Sequence, residues 1–203
     1  MTSALLLTLV QLINERIATG DTVLVFFRNL IIAPISEELV FRGLITPLLF
    51  IHFGSNSSND SYNLNDIRLR VILVGPLYFA LAHVHHCYEK IKSGSSISSA
   101  ILGTILQFSY TSIFGSIATI FLMRTGTIAS PIWSHIICNY NGLPDTGFMY
   151  PSQHPYMANS LSFLYPYRYL LLFLHALGLV LFAWCVYPLT ESLANHSEYY
   201  PTM

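Results

Sequence analysis

Three clusters of polar side chains interrupt otherwise apolar sequence, and they hold the residue types that water activation needs. The first is Ser36-Glu37-Glu38-Leu39-Val40-Phe41-Arg42-Gly43, inside a run over residues 23–53 with little else that is polar. Uncompensated charge is expensive in such surroundings, so two adjacent carboxylates and a guanidinium there demand partners or a task. On a helix Glu38 and Arg42 stand four residues apart on one face and can pair, whereas Glu37 is turned about 100° away from Glu38. One carboxylate is then held by the arginine and the other is left to work. On an amphipathic surface helix the same pair would be a solvated contact contributing roughly a few tenths of a kcal/mol. Here Leu30, Ile31, Ile32 and Ala33 before it, and Leu44, Ile45, Leu48, Leu49 and Phe50 after it, leave no polar face. The charges must therefore face a protein interior or a hydrated cavity.

The second cluster is Phe79-Ala80-Leu81-Ala82-His83-Val84-His85-His86. Helical spacing puts Phe79 and His83 on one face, so an aromatic edge and an imidazole look into the same space. His85 and His86, close to Glu89 and Lys90, read as interfacial histidines near a helix end. The third cluster is Ser134-His135-Ile136-Ile137-Cys138-Asn139, in which His135 and Asn139 share a face and Cys138 points about 100° away from Asn139. Taken alone, His135 and Asn139 read as a packing pair between helices. Together the three clusters supply a base, an imidazole and a two-donor site, the parts needed to drive water at an amide carbonyl and to stabilise the resulting oxyanion. A carboxylate in an apolar pocket is a stronger base than a solvated one.

The elements that carry these residues belong in a membrane. Of 203 residues, 53% are hydrophobic and 9% charged, with a mean hydropathy of +0.54; soluble domains hold about 25% charged residues. A net charge of −1, from 9 basic and 10 acidic residues, provides no basic field for nucleic acid. Cys87, Cys138 and Cys185 are odd in number and lack CxxC spacing, which argues against a disulfide framework or a zinc knuckle. Residues 1–17 lack the basic start and cleavage site of a signal peptide and read as part of a first helix. Residues 22–33 are apolar, and Pro34 breaks or starts a helix. One helix is expected over residues 34–53 with a kink at Pro47, then a polar loop to Asn65. A span is expected next over residues 71–87, kinked at Gly75-Pro76, with Arg68 and Arg70 at the interface. Residues 97–123 form a long apolar segment suited to close packing. Residues 128–140 form a buried or re-entrant helix, residues 141–165 a loop, and residues 169–187 the last span before a polar tail. The expectation is an all-α, polytopic integral membrane bundle of about five apolar helices, organised as one membrane domain over residues 1–203. Asn56, Asn59 and Asn195 lie in N-x-S sequons.

At Glu37-Glu38-x-x-x-Arg42, Phe79-x-x-x-His83 and His135-x-x-x-Asn139 the sequence resembles the type II CAAX prenyl proteases, the Ras-converting endopeptidase branch of a wider membrane family that includes bacterial bacteriocin-immunity proteins. The resemblance covers residues 28–145. Arg28-Asn29, Ala82-His83-Val84-His85-His86 and Cys138-Asn139-Tyr140 are closer to the eukaryotic branch. It implies removal of the last three residues from proteins whose C-terminal CaaX cysteine carries a prenyl chain, by a multi-pass protein of the endoplasmic reticulum membrane. By that resemblance Glu37 and His83 activate water, His135 and Asn139 form the oxyanion site, Glu38, Arg42 and Phe79 support them, and no cofactor or metal takes part. Family members carry further spans ahead of the Glu-Glu motif, where this chain has 36 residues, so a truncated or minimal form is implied. Two alternatives remain open at this point. Glu37, His83 and His135 are ordinary zinc ligands, although no His-Glu-x-x-His spacing is present. A non-catalytic binder of prenylated tails would need the same cavity without the chemistry. A Cys138 nucleophile is disfavoured by its direction.

Overall fold

Two prolines shape the helix that carries the first cluster. Proline removes a backbone donor and its ring clashes with the carbonyl four residues back, so an α-helix must widen, kink or stop there. In the computed structural model, which describes residues 23–55, 63–142, 147–149, 161–194, 197 and 199, helix α1 runs unbroken over residues 23–55 because it widens twice. π-helical turns at Arg28–Ile32 and Phe41–Ile45 precede Pro34 and Pro47 and flank the regular segment Ala33–Val40. The N–H groups of Ala33 and Thr46 reach back five residues, to Arg28 O and Phe41 O. The Thr46 hydroxyl adds a 2.9 Å bond to Phe41 O. Pro34 therefore stands in the first turn of the regular α segment, as the sequence suggests, although the chain reaches it through a π turn rather than a break, and the Glu-Glu pair lies between two π turns.

Helix α2 (Leu64–Ala82) begins well before Val71. Asn63 caps it by accepting from the Asn65 N–H at 3.0 Å, and its polar first turns are held by the Arg70–Asp66 pair at 2.8 Å and by Arg68 donating to Asn65 at 2.7 Å. Arg68 and Arg70 thus lie within the helix rather than ahead of it. The span expected to reach Cys87 is broken at His83-Val84, and α3 (His85–Lys92) continues the chain as a separate short helix. Helix α4 (Ile97–Thr125) starts at the Ser96 cap and ends at Gly126, whose φ of 65° suits a left-handed C-cap. Helix α5 (Ala129–Asn141) and helix α6 (Arg168–Ala194) complete the regular elements. Among the described residues all regular structure is helical. The loop sequons at Asn56 and Asn59, Asn195, the expected first helix and most of the 141–165 loop lie outside the described residues.

Small residues let the helices approach. Helix α4 packs along α2, with Ser116 donating to Ile72 O at 3.0 Å. A Cβ placed on Gly115 would lie 2.8 Å from Pro76 Cβ and 3.0 Å from Arg42 Nη2, so glycine is what allows α4 to close over α2 and the arginine. Helix α5 packs on both α4 and α1. Helix α6 meets α4 through Arg124, which donates to Tyr187 O at 2.8 Å and to the Thr190 hydroxyl and lies over the Tyr187 ring at 4.5 Å. This helix passes through Pro188 to Ala194, beyond the expected end at Tyr187. Beyond it, Tyr199 docks back on the bundle: its ring lies 5.2 Å from that of Phe50, and its carbonyl accepts from Arg68 at 2.7 Å.

Leu64–Lys92, Ile97–Thr125 and Ser162–Glu191 are long and apolar enough to cross a membrane. Large apolar side chains such as Leu73, Leu106, Ile113, Leu179 and Trp184 point outward over their length. Water would penalise such a surface and lipid does not, so the chain is an α-helical membrane bundle.

Gly115→Ala should lower stability by about 1–3 kcal/mol, the usual cost of overpacking, because the nearest obstacles are Pro76 Cβ and Cα and the Nη2 of the buried Arg42. Thermal unfolding in detergent measures this. An unchanged melting temperature would mean that α2 and α4 are not in the tight contact described.

Candidate active site

The regular segment between the π turns sends its two carboxylates into opposite environments. Glu38 is fully buried and Arg42 nearly so, at 0% and 1% exposure. Arg42 Nη1 donates to Glu38 Oε1 at 3.1 Å, the i,i+4 pair that the spacing anticipates. The same oxygen receives a second bond: His135 Nδ1, from α5, lies 2.7 Å away. An ionised carboxylate only accepts, so Nδ1 carries a proton and the imidazole turns Nε2 outward. Aromatic faces close the cluster. The Arg42 guanidinium lies 4.6 Å from the Phe79 ring centre and 5.7 Å from that of Phe114. The His135 ring meets the same two rings at 5.8 and 4.9 Å. Glu38 Oε2 and Arg42 Nη2 are buried without a hydrogen-bond partner.

Glu37 remains at the opening of this cluster, with 33% of its side chain exposed. Its Oε2 lies 3.8 Å from His135 Nε2, too long for a direct hydrogen bond. His83 caps the end of α2, half-buried, with its ring edge against Phe79 at 4.8 Å and Nδ1 2.8 Å from Phe79 O. Among the described residues no hydrogen bond or ion pair joins His83 to Glu37 or His135; Phe79 is the ring that His83, His135 and Arg42 share. Asn139 lies one turn beyond His135 at the rim, exposed, and its Nδ2 donates to Asn29 O of α1 at 3.1 Å. His135 and Asn139 therefore both face α1, as their spacing requires, while Cys138 is exposed away from the cluster. All three cysteines are free thiols.

The structure thus brings Glu37, Glu38, Arg42 and His135 into direct proximity, attaches His83 through Phe79, and holds Asn139 on the α1 backbone. It does not gather the ligand atoms of Glu37, His83 and His135 into a three-atom set around one point; among the described residues that grouping occurs at His85, His86 and Glu89. The zinc alternative at the three motifs lacks that grouping of ligand atoms among the described residues. Phe114, Gly115 and the carbonyl of Asn29 were not singled out for the site by the sequence. Phe114 sits in a uniformly apolar helix, where spacing carries no mark of it.

Comparison with known proteins points to one family. A family model described as Type II CAAX prenyl endopeptidase Rce1-like matches residues 19–141. The chain is similar to CAAX prenyl protease 2 of Homo sapiens, with 33% identity over 169 residues, covering 82% of this chain and 43% of that protein. It is also similar to CAAX prenyl protease 2 of Arabidopsis thaliana, with 38% identity over 135 residues, 66% of this chain and 40% of the relative. The probable CAAX prenyl protease 2 of Schizosaccharomyces pombe is 38% identical over 119 residues, 58% of this chain and 40% of that protein. The chain thus spans no more than 43% of the length of these relatives. No solved structure matches it.

Removing one partner of a buried ion pair leaves the other charge uncompensated, at a cost of about 3–5 kcal/mol, whereas replacing both by apolar residues is often neutral. Glu38→Leu should therefore destabilise by that order, and Glu38→Leu with Arg42→Met should recover much of the loss. Unfolding of both variants in detergent tests the assignment. A single variant as stable as the double would show that the pair is not buried.

Proposed function

The chain belongs to the type II CAAX prenyl endopeptidase family, and on that premise we propose that it hydrolyses the peptide bond after a prenylated cysteine, releasing the C-terminal tripeptide of CaaX proteins at the endoplasmic reticulum membrane. The observation that carries this reading is the 3.8 Å gap between the partly exposed Glu37 carboxylate and the Nε2 of a His135 fixed from behind by Glu38. Two polar groups at that spacing suit a shared water molecule, or a substrate oxygen, between them.

Glu37 takes a proton from water as the water oxygen bonds to the carbonyl carbon. The carbonyl π electrons move to oxygen, and His135 Nε2–H and Asn139 Nδ2–H donate to that oxyanion. Asn139 has a second N–H besides the one given to Asn29, so it can do both. His135 can donate through Nε2 only as an imidazolium, because Nδ1–H is already given to Glu38. In that state two cations, Arg42 and His135, stand against two anions, Glu37 and Glu38, and the apolar site carries no net charge. Collapse of the intermediate breaks the C–N bond, and the tripeptide amine leaves with the proton that Glu37 accepted. His83, with Nδ1 held by the Phe79 carbonyl, keeps Nε2 for the water and shares its activation with Glu37. No step calls for a metal or an organic cofactor.

A second reading has one observation in its favour. A carboxylate on Nδ1 is also what orients a neutral imidazole to act as a base through Nε2, and the Glu38–His135 bond fits that role equally in distance.

Glu37→Gln and His83→Ala should each cut hydrolysis of a farnesylated CaaX peptide by about 10²–10⁴-fold, and Asn139→Ala by about 10²–10³-fold, with the melting temperature in detergent retained. Unprenylated peptide should be a poor substrate. Full activity in Glu37→Gln or His83→Ala removes the proposal, and intact prenylated peptide that nevertheless binds identifies a non-catalytic binder. His135→Gln keeps a donor and loses the base, so it should retain more activity than His135→Ala; equal losses move the base role to His135.

A further inference from the structure

A second cluster of metal-ligating side chains lies outside the site just described. The break at His83-Val84 ends α2 at Ala82, and α3 starts immediately with His85. On the first turns of α3, His85 and Glu89 are four residues apart and His86 and Glu89 three, so all three side chains meet over one face. One ligand atom from each lies within 4.8 Å of the other two. The His85 and His86 rings are 4.0 Å apart, and His86 Nδ1 lies 2.6 Å from Glu89 Oε2.

Two features besides proximity point to an ion. The first is the orientation of the imidazoles. His85 Nδ1 lies 2.6 Å from Ala82 O, so it carries the proton and leaves the Nε2 lone pair free. Metal-binding histidines are oriented in this way, with the second nitrogen on a carbonyl or carboxylate. Glu89 does the same for His86, or swings the short distance needed to become a ligand itself. The second is charge. Lys90 turns toward Gln107 of α4, Nζ to Oε1 3.4 Å, rather than toward the cluster, and the carbonyl end of α2 beside it favours a cation. His85 and Glu89 are exposed and His86 half-buried, so the side chains are free to close to the roughly 2.0–2.2 Å bonds that zinc makes with nitrogen and oxygen.

We propose that His85, His86 and Glu89 form a divalent transition-metal site, with zinc as the ion that its two imidazoles and one carboxylate suit best and water in the remaining position. The site is separate from Glu37 and His135. It lies beside His83, whose ring is 5.9 Å from that of His86, so an ion there would fix the first turn of α3 against the turn that carries His83.

The test is Co²⁺ titration of the full chain, without a polyhistidine tag, in detergent micelles. One equivalent should bind with the visible absorption of a four-coordinate nitrogen and oxygen site, and Zn²⁺ should displace it. His85→Ala and His86→Ala should each weaken binding by more than about 100-fold, the upper end of what loss of a merely supporting residue produces. Glu37→Gln and His135→Ala should leave it unchanged. Circular dichroism and melting of the His85 and His86 variants should match the parent, since none of the three side chains is buried. Absence of stoichiometric binding overturns the proposal, as does binding indifferent to both histidine variants. Binding lost in Glu37→Gln or His135→Ala would place the ion among the three motifs instead, and also overturns it.

Discussion

The Glu38 carboxylate is the point on which the bundle turns. A single oxygen atom accepts from Arg42 on its own helix and from His135 on α5, in a space closed to solvent. Removal of a carboxylate and a guanidinium from water is repaid only when geometry is good and further hydrogen bonds are made, so the positions of several elements depend on this one group. Helix α5 must lie against α1 to deliver the imidazole. Helix α4 must present glycine at 115 to pass the guanidinium, and Phe79 and Phe114 must supply faces to it from α2 and α4. The arrangement leaves Glu38 Oε2 and Arg42 Nη2 without partners. That shortfall in stability is more natural in a site than in a core built only to hold helices together.

The two carboxylates cannot exchange roles. They are adjacent in sequence and separated by about 100° around the helix; one is sealed against α5 and the other stands at the opening. The π turns on either side matter here. Each lets an apolar helix pass a proline without stopping, and each rotates the downstream residues relative to their places on an unbroken α-helix. The segment Ala33–Val40 is regular between them, so the phase of Glu37, Glu38 and the neighbouring turn is fixed over a short stretch. The side chain of Arg42 starts within the second π turn and still reaches Glu38 at 3.1 Å.

Much of this arrangement is legible in the residues alone. Helical spacing gives the Glu38–Arg42 pair, the common face of His135 and Asn139, and the outward direction of Cys138, because i,i+4 geometry survives burial in a membrane. Hydropathy locates α4 and α5 to within about two residues, the ordinary uncertainty of helix ends. It misses the start of α2, which lies at Leu64 rather than Val71, because the Arg68–Asn65 and Arg70–Asp66 contacts carry the helix through polar residues. It gives Pro34 its place in a first turn but not the π turn ahead of it, which leaves no sequence signal beyond the proline itself. The meeting of Glu38 with His135 is a contact across 97 positions, which no local pattern encodes, and Phe114 is one apolar residue among many. The break at His83-Val84 is the most consequential miss, because the two-residue turn there leaves the carbonyls of Phe79 and Ala82 to the Nδ1 atoms of His83 and His85.

That turn bears on how an imidazole can be held in lipid. A histidine ring can anchor Nδ1 on the carbonyl four residues back, as His175 does within α6, where Nδ1 lies 2.7 Å from Leu171 O. At the C-cap of α2 the Phe79 carbonyl is available to hold Nδ1 of His83 at 2.8 Å, while Phe79's own ring flanks the imidazole at 4.8 Å. Tautomer and plane are then set by the backbone before any substrate arrives. Glu38 sets them for His135 by a side chain. The site therefore uses two different devices for the same end, a carboxylate where the helix continues and a helix terminus where it stops, and each leaves one Nε2 directed away from its anchor. Water activation in a medium that cannot reorganise around developing charge depends on such fixed groups, and the proposed function would draw them from three separate helices, α1, α2 and α5.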